Sequence, residues 1–465
     1  MSGRKRAGSG ETPPPDREDE SRLGGRLMRY ARVGTTVGGL AARLAASRYL
    51  GVGLDQDRHA SDLRAALGGL KGPLMKAAQL LATIPNAVPD SYAVQFAELQ
   101  SNAPPMGWPF VRRRMAAELG SDWQSRFASF SHEAAHAASL GQVHKAVHPD
   151  GRLLACKLQY PDMRSAVEAD LDQLRLALSL YQRSDGAVNM SHIQEELAAR
   201  LREELDYELE AAHVHLYRLM LKDVAGVHVP EVVGALSTRR LLTMTWLDGG
   251  RLLDAVDLSQ AKRNAIAHNL FHCWYVPLYR FGVLHGDPHL GNYTVRDDGS
   301  VNLLDFGCIR IFESKFIGGV IALYEAIRDG DEAKAVSAYE AWGFTGLSRQ
   351  TIATLNLWAN FIYGPLLEDR PRTINEGDEA ERGVYGARVA NQVHRDLRQQ
   401  GGVTPPREFV FMDRAAIGLG SVFMRLGARL NWHALFESLI EGYTEVSMTR
   451  RQARAMKSAG VDAPL

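Results

Sequence analysis

Three stretches of this chain predict an α+β fold of two lobes, one β-rich and one helical, with an α-helical extension before them. The first is His285-Gly286-Asp287-Pro288-His289-Leu290-Gly291-Asn292. The second is Asp305-Phe306-Gly307, which follows an apolar run from Val301 to Leu304. The third is Leu153-Leu154-Ala155-Cys156-Lys157-Leu158, a mostly apolar run with one lysine inside it. An Asp with an Asn five positions on, then a second Asp heading Asp-Phe-Gly behind a strand, is how a protein-kinase-like fold holds Mg²⁺ against a nucleotide. Surface turns rich in Asp, Gly and Asn would explain either stretch alone, but not the pair in this order and spacing.

In chain order, residues 1–25 are rich in Pro, Gly and charge and read as a disordered tail. They lack an apolar stretch beside their basic residues, so no secretory signal is expected. Residues 26–120 read as the helical extension, broken at Pro85-Asn86 and at Ala103-Pro104-Pro105. Between Arg22 and Leu54 there is no Asp or Glu, while Arg22, Arg26, Arg29, Arg32, Arg43 and Arg48 interleave with apolar residues. That composition suits either an amphipathic helix on an anionic membrane surface or a basic helix packed on the core.

Residues 121–248 read as the small lobe. Strands are expected near Phe127, Val143 and Leu154. A buried strand rarely carries an unpaired ammonium, so Lys157 should face the phosphates of a nucleotide and be steadied by a carboxylate. The partner should lie on a helix from His192 to Leu221, where Ile193, Leu197, Leu201, Leu205 and Leu209 recur every fourth residue. Periodicity leaves open which of Glu203, Glu204, Asp206, Glu208 and Glu210 turns inward. The segment from Glu133 to His144 stands where a phosphate-covering loop belongs, but it is alanine-rich, with Gly141 its one glycine. Alanine restricts φ, so a stiff loop is expected. Leu241 to Gly250 reads as the last strand and a hinge, whose backbone at Met244 and Trp246 would meet the adenine.

Residues 249–465 read as the helical large lobe. The uncharged run between Arg263 and Arg280 is too short and too polar for a membrane span, and reads as a buried helix before Asp287. Glu368 to Gly386 reads as a charged surface loop, and Arg450 to Lys457 as a basic, polar tail rather than a membrane anchor.

These motifs together resemble the UbiB/AarF family of atypical kinases, tied to ubiquinone biosynthesis. The matching pieces are Ala137 to His144, Cys156 to Pro161, Glu204-Leu205-Asp206-Tyr207 with Glu210-Ala211, His285 to Asn292, and Asp305-Phe306-Gly307. Upstream, Lys76-Ala77-Ala78-Gln79 matches the family's Lys-x-Gly-Gln element, and the likeness runs from about Leu63 to Tyr443. The resemblance implies ATP and Mg²⁺ as cofactors. It implies that Lys157 contacts the phosphates with Glu210 as partner, and that the loop residues Ala137, Ala138, Ser139 and Gln142 cover the nucleotide. Lys76 and Gln79 would reach toward Glu204 and Asp206. Asp287 would position the nucleophile, and Asn292 and Asp305 would hold the metal. The chain departs from the family at Ala78, His136 and Leu290, and at His213, where an Asn is usual. None of these removes a metal ligand or the lysine.

Composition sets outer limits. Lys plus Arg number 54 and Asp plus Glu 54, so no basic bias points to nucleic acid. Cys156, Cys273 and Cys308 form no CxxC, which argues against a zinc site or a disulfide framework and for packing thiols. A bacterial-type cytoplasm, with peripheral contact at the inner membrane face, is the expected location. The partners implied are a quinone-precursor or isoprenoid lipid and quinone-biosynthesis enzymes, with a homodimer left open. Three activities fit: an atypical kinase-like ATPase, which is favoured; a phosphotransferase on a protein or small molecule; and a nucleotide-sensing scaffold without turnover.

Overall fold

The computed structural model describes residues 105–137, 140–168, 171–172, 198–287, 290–344, 347–374, 393, 396 and 407–462. The expectations for the tail and nearly all of the extension, including Lys76, Gln79, the basic 22–54 segment and Ala78, lie outside the described residues, as do Ala138 and Ser139. Contacts divide the chain into two units: residues 1–114, 134–142 and 159–205 form one, and 115–133, 143–158 and 206–465 the other.

The first unit is built around the buried residues Leu140, Tyr160, Met163, Val167, Leu201 and Leu205, with Met106 and Phe110 packed against them. Helix α1 (Trp108–Leu119) begins here and ends in the second unit. The Gln142 side chain grips the Met106 backbone in both directions, accepting from its N at 2.7 Å and donating to its O at 3.2 Å. Arg202 forks onto Glu168 with two contacts of 2.8 Å.

The expected single helix from His192 to Leu221 is corrected by a break. Residues 198–203 are helical, the chain turns at Glu204 and Leu205, and α2 (Tyr207–Leu221) starts afresh. Asp206 caps it, its carboxylate accepting from Leu209 N at 3.0 Å. A carboxylate that satisfies the free amides of a helix start competes with helix continuation at its own position, and that stops the first helix here. The phase of the apolar repeat therefore resets, and Glu203 and Glu210 belong to different helices.

A sheet, most of whose residues fall in the second unit, runs in the order β1 (Ser129–Ala137), β2 (Gly141–Val147), β3 (Leu153–Gln159), β5 (Leu241–Thr245). The expected alanine loop is thus shorter than predicted, because Glu133 to Ala137 extend β1. β3 and β5 are antiparallel, with Cys156 opposite Thr243 and Lys157 opposite Leu242. Leu154, Cys156 and Leu158 alternate onto one fully buried face, as strand geometry requires, which puts Lys157 on the other.

A second sheet orders β4 (Val227–His228), β9 (Val301–Leu303), β8 (Tyr293–Val295) and β6 (Gly250–Arg251). A ribbon pairs β7 (Val283–His285) with β10 (Ile309–Ile311), setting His285 opposite Ile309. Between β6 and β7 lies α3 (Gln260–Phe281), the expected buried helix, capped by Ser259 and ended by Gly282 at φ +67°. Among the described residues after β10, the main elements are the helices α4 (Ser314–Asp329), α5 (Glu332–Ala341), α6 (Arg349–Tyr363), α7 (Arg407–Leu426), α8 (Trp432–Ile440) and α9 (Glu445–Ala459).

Two expectations for this half gain detail. The described part of the Glu368–Gly386 loop is tied down: Arg372 pairs with Leu430 through backbone bonds of 3.0 and 3.1 Å and with Glu368 through its guanidinium at 2.7 Å. The basic tail is α9, which buries Met448, Gln452, Ala455, Met456 and Ala459 and leaves Arg450, Arg451, Arg454 and Lys457 outside. Gln452 Nε2 donates to Phe281 O at 2.7 Å and Phe312 O at 2.8 Å, closing the base of the β7–β10 ribbon. An amphipathic spacing was present in the tail, but its charge count obscured it.

Candidate active site

Lys157 stands in the middle of β3, and its ammonium faces α2. Nζ donates to Glu210 Oε1 at 2.6 Å and Oε2 at 2.9 Å, and to Asp305 Oδ2 at 3.3 Å. The ring of Tyr207, one turn before Glu210, lies 5.2 Å from the ammonium, so the cation also has an aromatic face. Burial alone would depress the Lys157 ammonium, but Asp305 and Glu210 outweigh it and hold it well above its ordinary value. Burial, the strongest influence, holds the Glu210 carboxyl above its ordinary value against the pull of Lys157. The lysine remains charged and the pair is an ion pair. Cys156, next in the strand, has its thiol pushed up to about 12 by burial, which fits a packing role.

The second group of residues comes from three strand ends. β7 delivers His285 and then Asp287; Asn292 directly precedes β8; Asp305 follows β9 by two residues. Leu304 N donates to Asn292 O at 2.9 Å, zipping the two loops together. Asn292 Nδ2 donates to Asp287 O at 3.1 Å and to its Oδ2 at 3.2 Å, so the amide holds the backbone carbonyl and one carboxylate oxygen of the same residue. Asp305 Oδ1 accepts from Gly307 N at 3.0 Å. His285 Nε2 donates to Asp305 O at 2.7 Å, while its Nδ1 accepts from Asp287 N at 3.3 Å. Because an amide only donates and a carbonyl only accepts, these two bonds fix the tautomer of His285. Its ring packs among Tyr217, Trp274, Tyr293 and Phe306.

Other predicted residues have different employment. Gln142, expected at the nucleotide, is buried and bound to Met106 as described above. Asp206 caps α2, and Glu204 sits in the turn before it, in the other unit. Met244 is buried in β5 opposite Ala155. The Trp246 N–H, expected to serve adenine, donates to Leu153 O at 2.8 Å and prolongs the sheet instead. Ala137 is the last residue of β1.

Sequence reasoning missed Asn302. This fully buried side chain donates to Asp248 O at 2.9 Å and Thr294 Oγ1 at 2.8 Å, and accepts from Arg296 Nε at 2.8 Å. It fastens the end of the expected hinge to the β8–β9 hairpin that carries Asn292 and Asp305. Gly249 permits the approach, since a Cβ there would lie 2.7 Å from Thr294 Oγ1. The available signal was an amide inside the apolar run Val301 to Leu304.

Among the described residues, no group of three or more His, Cys, Asp or Glu side chains surrounds a common point where a metal ion could sit. Mg²⁺ does not require one beside a nucleotide, because it keeps water and phosphate oxygens and takes only one or two protein groups. Asn292 and Asp305 supply hard oxygens of that kind. Among the described residues, no helix is long and apolar enough to cross a membrane.

A buried strand lysine paired with a helix carboxylate, facing the Asp of an Asp-Phe-Gly turn, defines a protein of the kinase-like class. The ABC1 atypical kinase-like domain matches residues 98–339, just over half of the sequence, and the chain belongs to that family. It is 27% identical to the mitochondrial atypical kinase coq-8 of Caenorhabditis elegans over 83% of this chain and 51% of that one. It is 26% identical to the mitochondrial atypical kinase COQ8 of Saccharomyces cerevisiae over 80% of this chain and 74% of that one. The chain thus spans about half the length of the worm relative. Among solved structures it is similar to Rv3197 of Mycobacterium tuberculosis, determined with erythromycin. The TM-score is 0.58 at 26% identity, covering 83% of this chain and 97% of that one.

Proposed function

We propose that this chain is an atypical kinase-like ATPase that binds ATP with Mg²⁺, releases phosphate, and serves the biosynthesis of ubiquinone or another isoprenoid lipid. The observation that carries the reading is the Lys157–Glu210–Asp305 cluster. A charged lysine held by one carboxylate and leaning on a second is set to exchange the weaker contact for a phosphate oxygen. Family membership supports the nucleotide side, and the likeness to the UbiB/AarF family supports the lipid side.

Bound Mg²⁺ would neutralise charge on the β- and γ-phosphates. Asn292 and Asp305 are the side chains that would hold it. Lys157 would donate to the α- and β-phosphate oxygens, kept in place by Glu210. Asp287, oriented by Asn292, would align the attacking oxygen and accept its proton. Asn302 would keep the hinge and the metal-bearing hairpin in register.

The test is phosphate release from Mg²⁺–ATP by the purified chain, with and without anionic vesicles containing a quinone precursor. Asp287→Asn and Asp305→Asn serve as controls. Turnover that rises with lipid and disappears in both controls is the expected result. Label transferred to a protein or lipid acceptor would move the reading to a phosphotransferase. Nucleotide binding without phosphate release would move it to a scaffold. Deleting residues 1–54 tests the membrane contact proposed for the basic segment, and undiminished vesicle binding would remove it.

A further inference from the structure

Helix α2 holds the Asp-Phe-Gly turn by more than the ion pair at Glu210. Residues 210, 213 and 217 are spaced by three and four, and so share one helix face. All three are buried. His213 Nδ1 lies 3.0 Å from Phe306 O, and because the carbonyl can only accept, Nδ1 carries the hydrogen and donates. The Tyr217 ring meets the Phe306 ring edge-on, with centroids 5.4 Å apart. One helix face thus holds both the carbonyl and the ring of a single residue.

The next carbonyl back is held from elsewhere, since His285 of β7 donates to Asp305 O at 2.7 Å. Two imidazoles on separate elements therefore donate to the consecutive carbonyls of residues 305 and 306. Burial pushes His213 down to about 4, so the ring is neutral near pH 7. Where the family resembled above usually has Asn, this chain has His. The two are compatible in one respect: Asn Nδ2 stands as many bonds from the backbone as His Nδ1, so either can donate from the same place.

We propose that His213 is a positioning residue that latches the Asp305-Phe306-Gly307 turn onto α2 and thereby sets where the Asp305 carboxylate stands relative to Lys157 and Glu210. The inference rests on the nucleotide reading of the site for its consequence, but not for the latch itself. Without the donor, Phe306 O loses its bond in a buried place, the turn can rotate, and Asp305 meets Mg²⁺ less often.

Two measurements on the full chain test this with His213→Leu, which keeps the bulk and removes the donor, and His213→Asn, which keeps the donor. The first is amide hydrogen exchange across residues 305–308 without nucleotide. The second is the Mg²⁺ concentration giving half-maximal phosphate release. Losing a buried hydrogen bond should speed exchange roughly tenfold in the leucine variant, and raise the half-maximal Mg²⁺ by a similar factor. The asparagine variant should restore both. If the leucine variant does not fold, His213→Ala replaces it. Wild-type exchange and Mg²⁺ dependence in a folded donor-less variant would overturn the latch, as would an asparagine variant impaired as much as the leucine one. If the wild type releases no phosphate, the ATPase reading fails and the exchange comparison alone decides the latch.

Discussion

Replacing Glu210 with alanine strikes the interaction on which the site depends. The carboxylate is 2% exposed and gives both oxygens to Lys157 Nζ, at 2.6 and 2.9 Å. Breaking a buried ion pair from one side costs about 3–5 kcal/mol, because the remaining charge stays desolvated. Two features reduce the figure here. Asp305 remains 3.3 Å away, and the Lys157 side chain keeps 21% of its exposure. We therefore expect Glu210→Ala to destabilise the chain by about 2–3 kcal/mol. The lysine value is raised, so its contribution is fully present below the unfolded-state value of about 10.4 and is lost only as pH rises through the higher folded value. The lysine's share of the deficit should thus be constant across neutral pH. The assay is urea unfolding of wild type, Glu210→Ala, Lys157→Met and the double variant. With the ammonium gone, removing the carboxylate relieves a buried acid rather than stranding a buried base. The cycle should then show a coupling of more than about 1 kcal/mol. Additive costs, or a single-variant loss within about 0.5 kcal/mol, would refute the claim that this pair is what holds Lys157.

Other expectations can be tested alongside. Gly282→Ala forces a left-handed φ of +67° on a residue with a Cβ, and sets that carbon 2.6 Å from Phe312 O; a loss of about 2–4 kcal/mol in urea unfolding is expected. Gln452→Leu leaves Phe281 O and Phe312 O without the amide that now serves both, and should cost about 2–3 kcal/mol by the same measurement. His213 has a folded value near 4 against an ordinary 6.5, so stability from its neutral form is complete above about 6.5 and is lost as pH falls toward 4. The loss is worth up to about 3 kcal/mol, and His213→Asn should lack this component when urea midpoints at pH 7 and 4.5 are compared.

Much of the arrangement was legible because spacing along the chain carries it. Asp287 and Asn292 are five residues apart, so a short loop brings amide to carboxylate whatever else the fold does. Leu153–Gln159 is a strand with alternating burial, and Val301–Leu303 is a short strand buried throughout; both are marked by their apolar residues. The uncharged run between Arg263 and Arg280 lies in a helix capped by Ser259 and stopped by Gly282. Harder to read was the helix after Lys157. Five carboxylates within eight residues gave several phases, and only the Asp206 cap, which restarts the helix, points Glu210 at the lysine. The contact of Gln142 was unreadable for a related reason: the family likeness put it at the nucleotide, and nothing local announces the Met106 backbone that its amide holds.

By itself, then, the order of residues determined the chemical inventory of this protein: one strand lysine, an Asp-Asn pair, an Asp-Phe-Gly turn, and the lengths of chain between them. Only tertiary structure decided which of them meet. Lys157 finds Glu210 across 53 residues and Asp305 across 148, and His213 reaches Phe306 across 93. Over such separations no local propensity selects a partner. The choice is made by which faces of β3, α2 and the β8–β9 hairpin bury together, since a charged or polar group carried into that interior must find its counterpart there or remain at a cost of several kcal/mol.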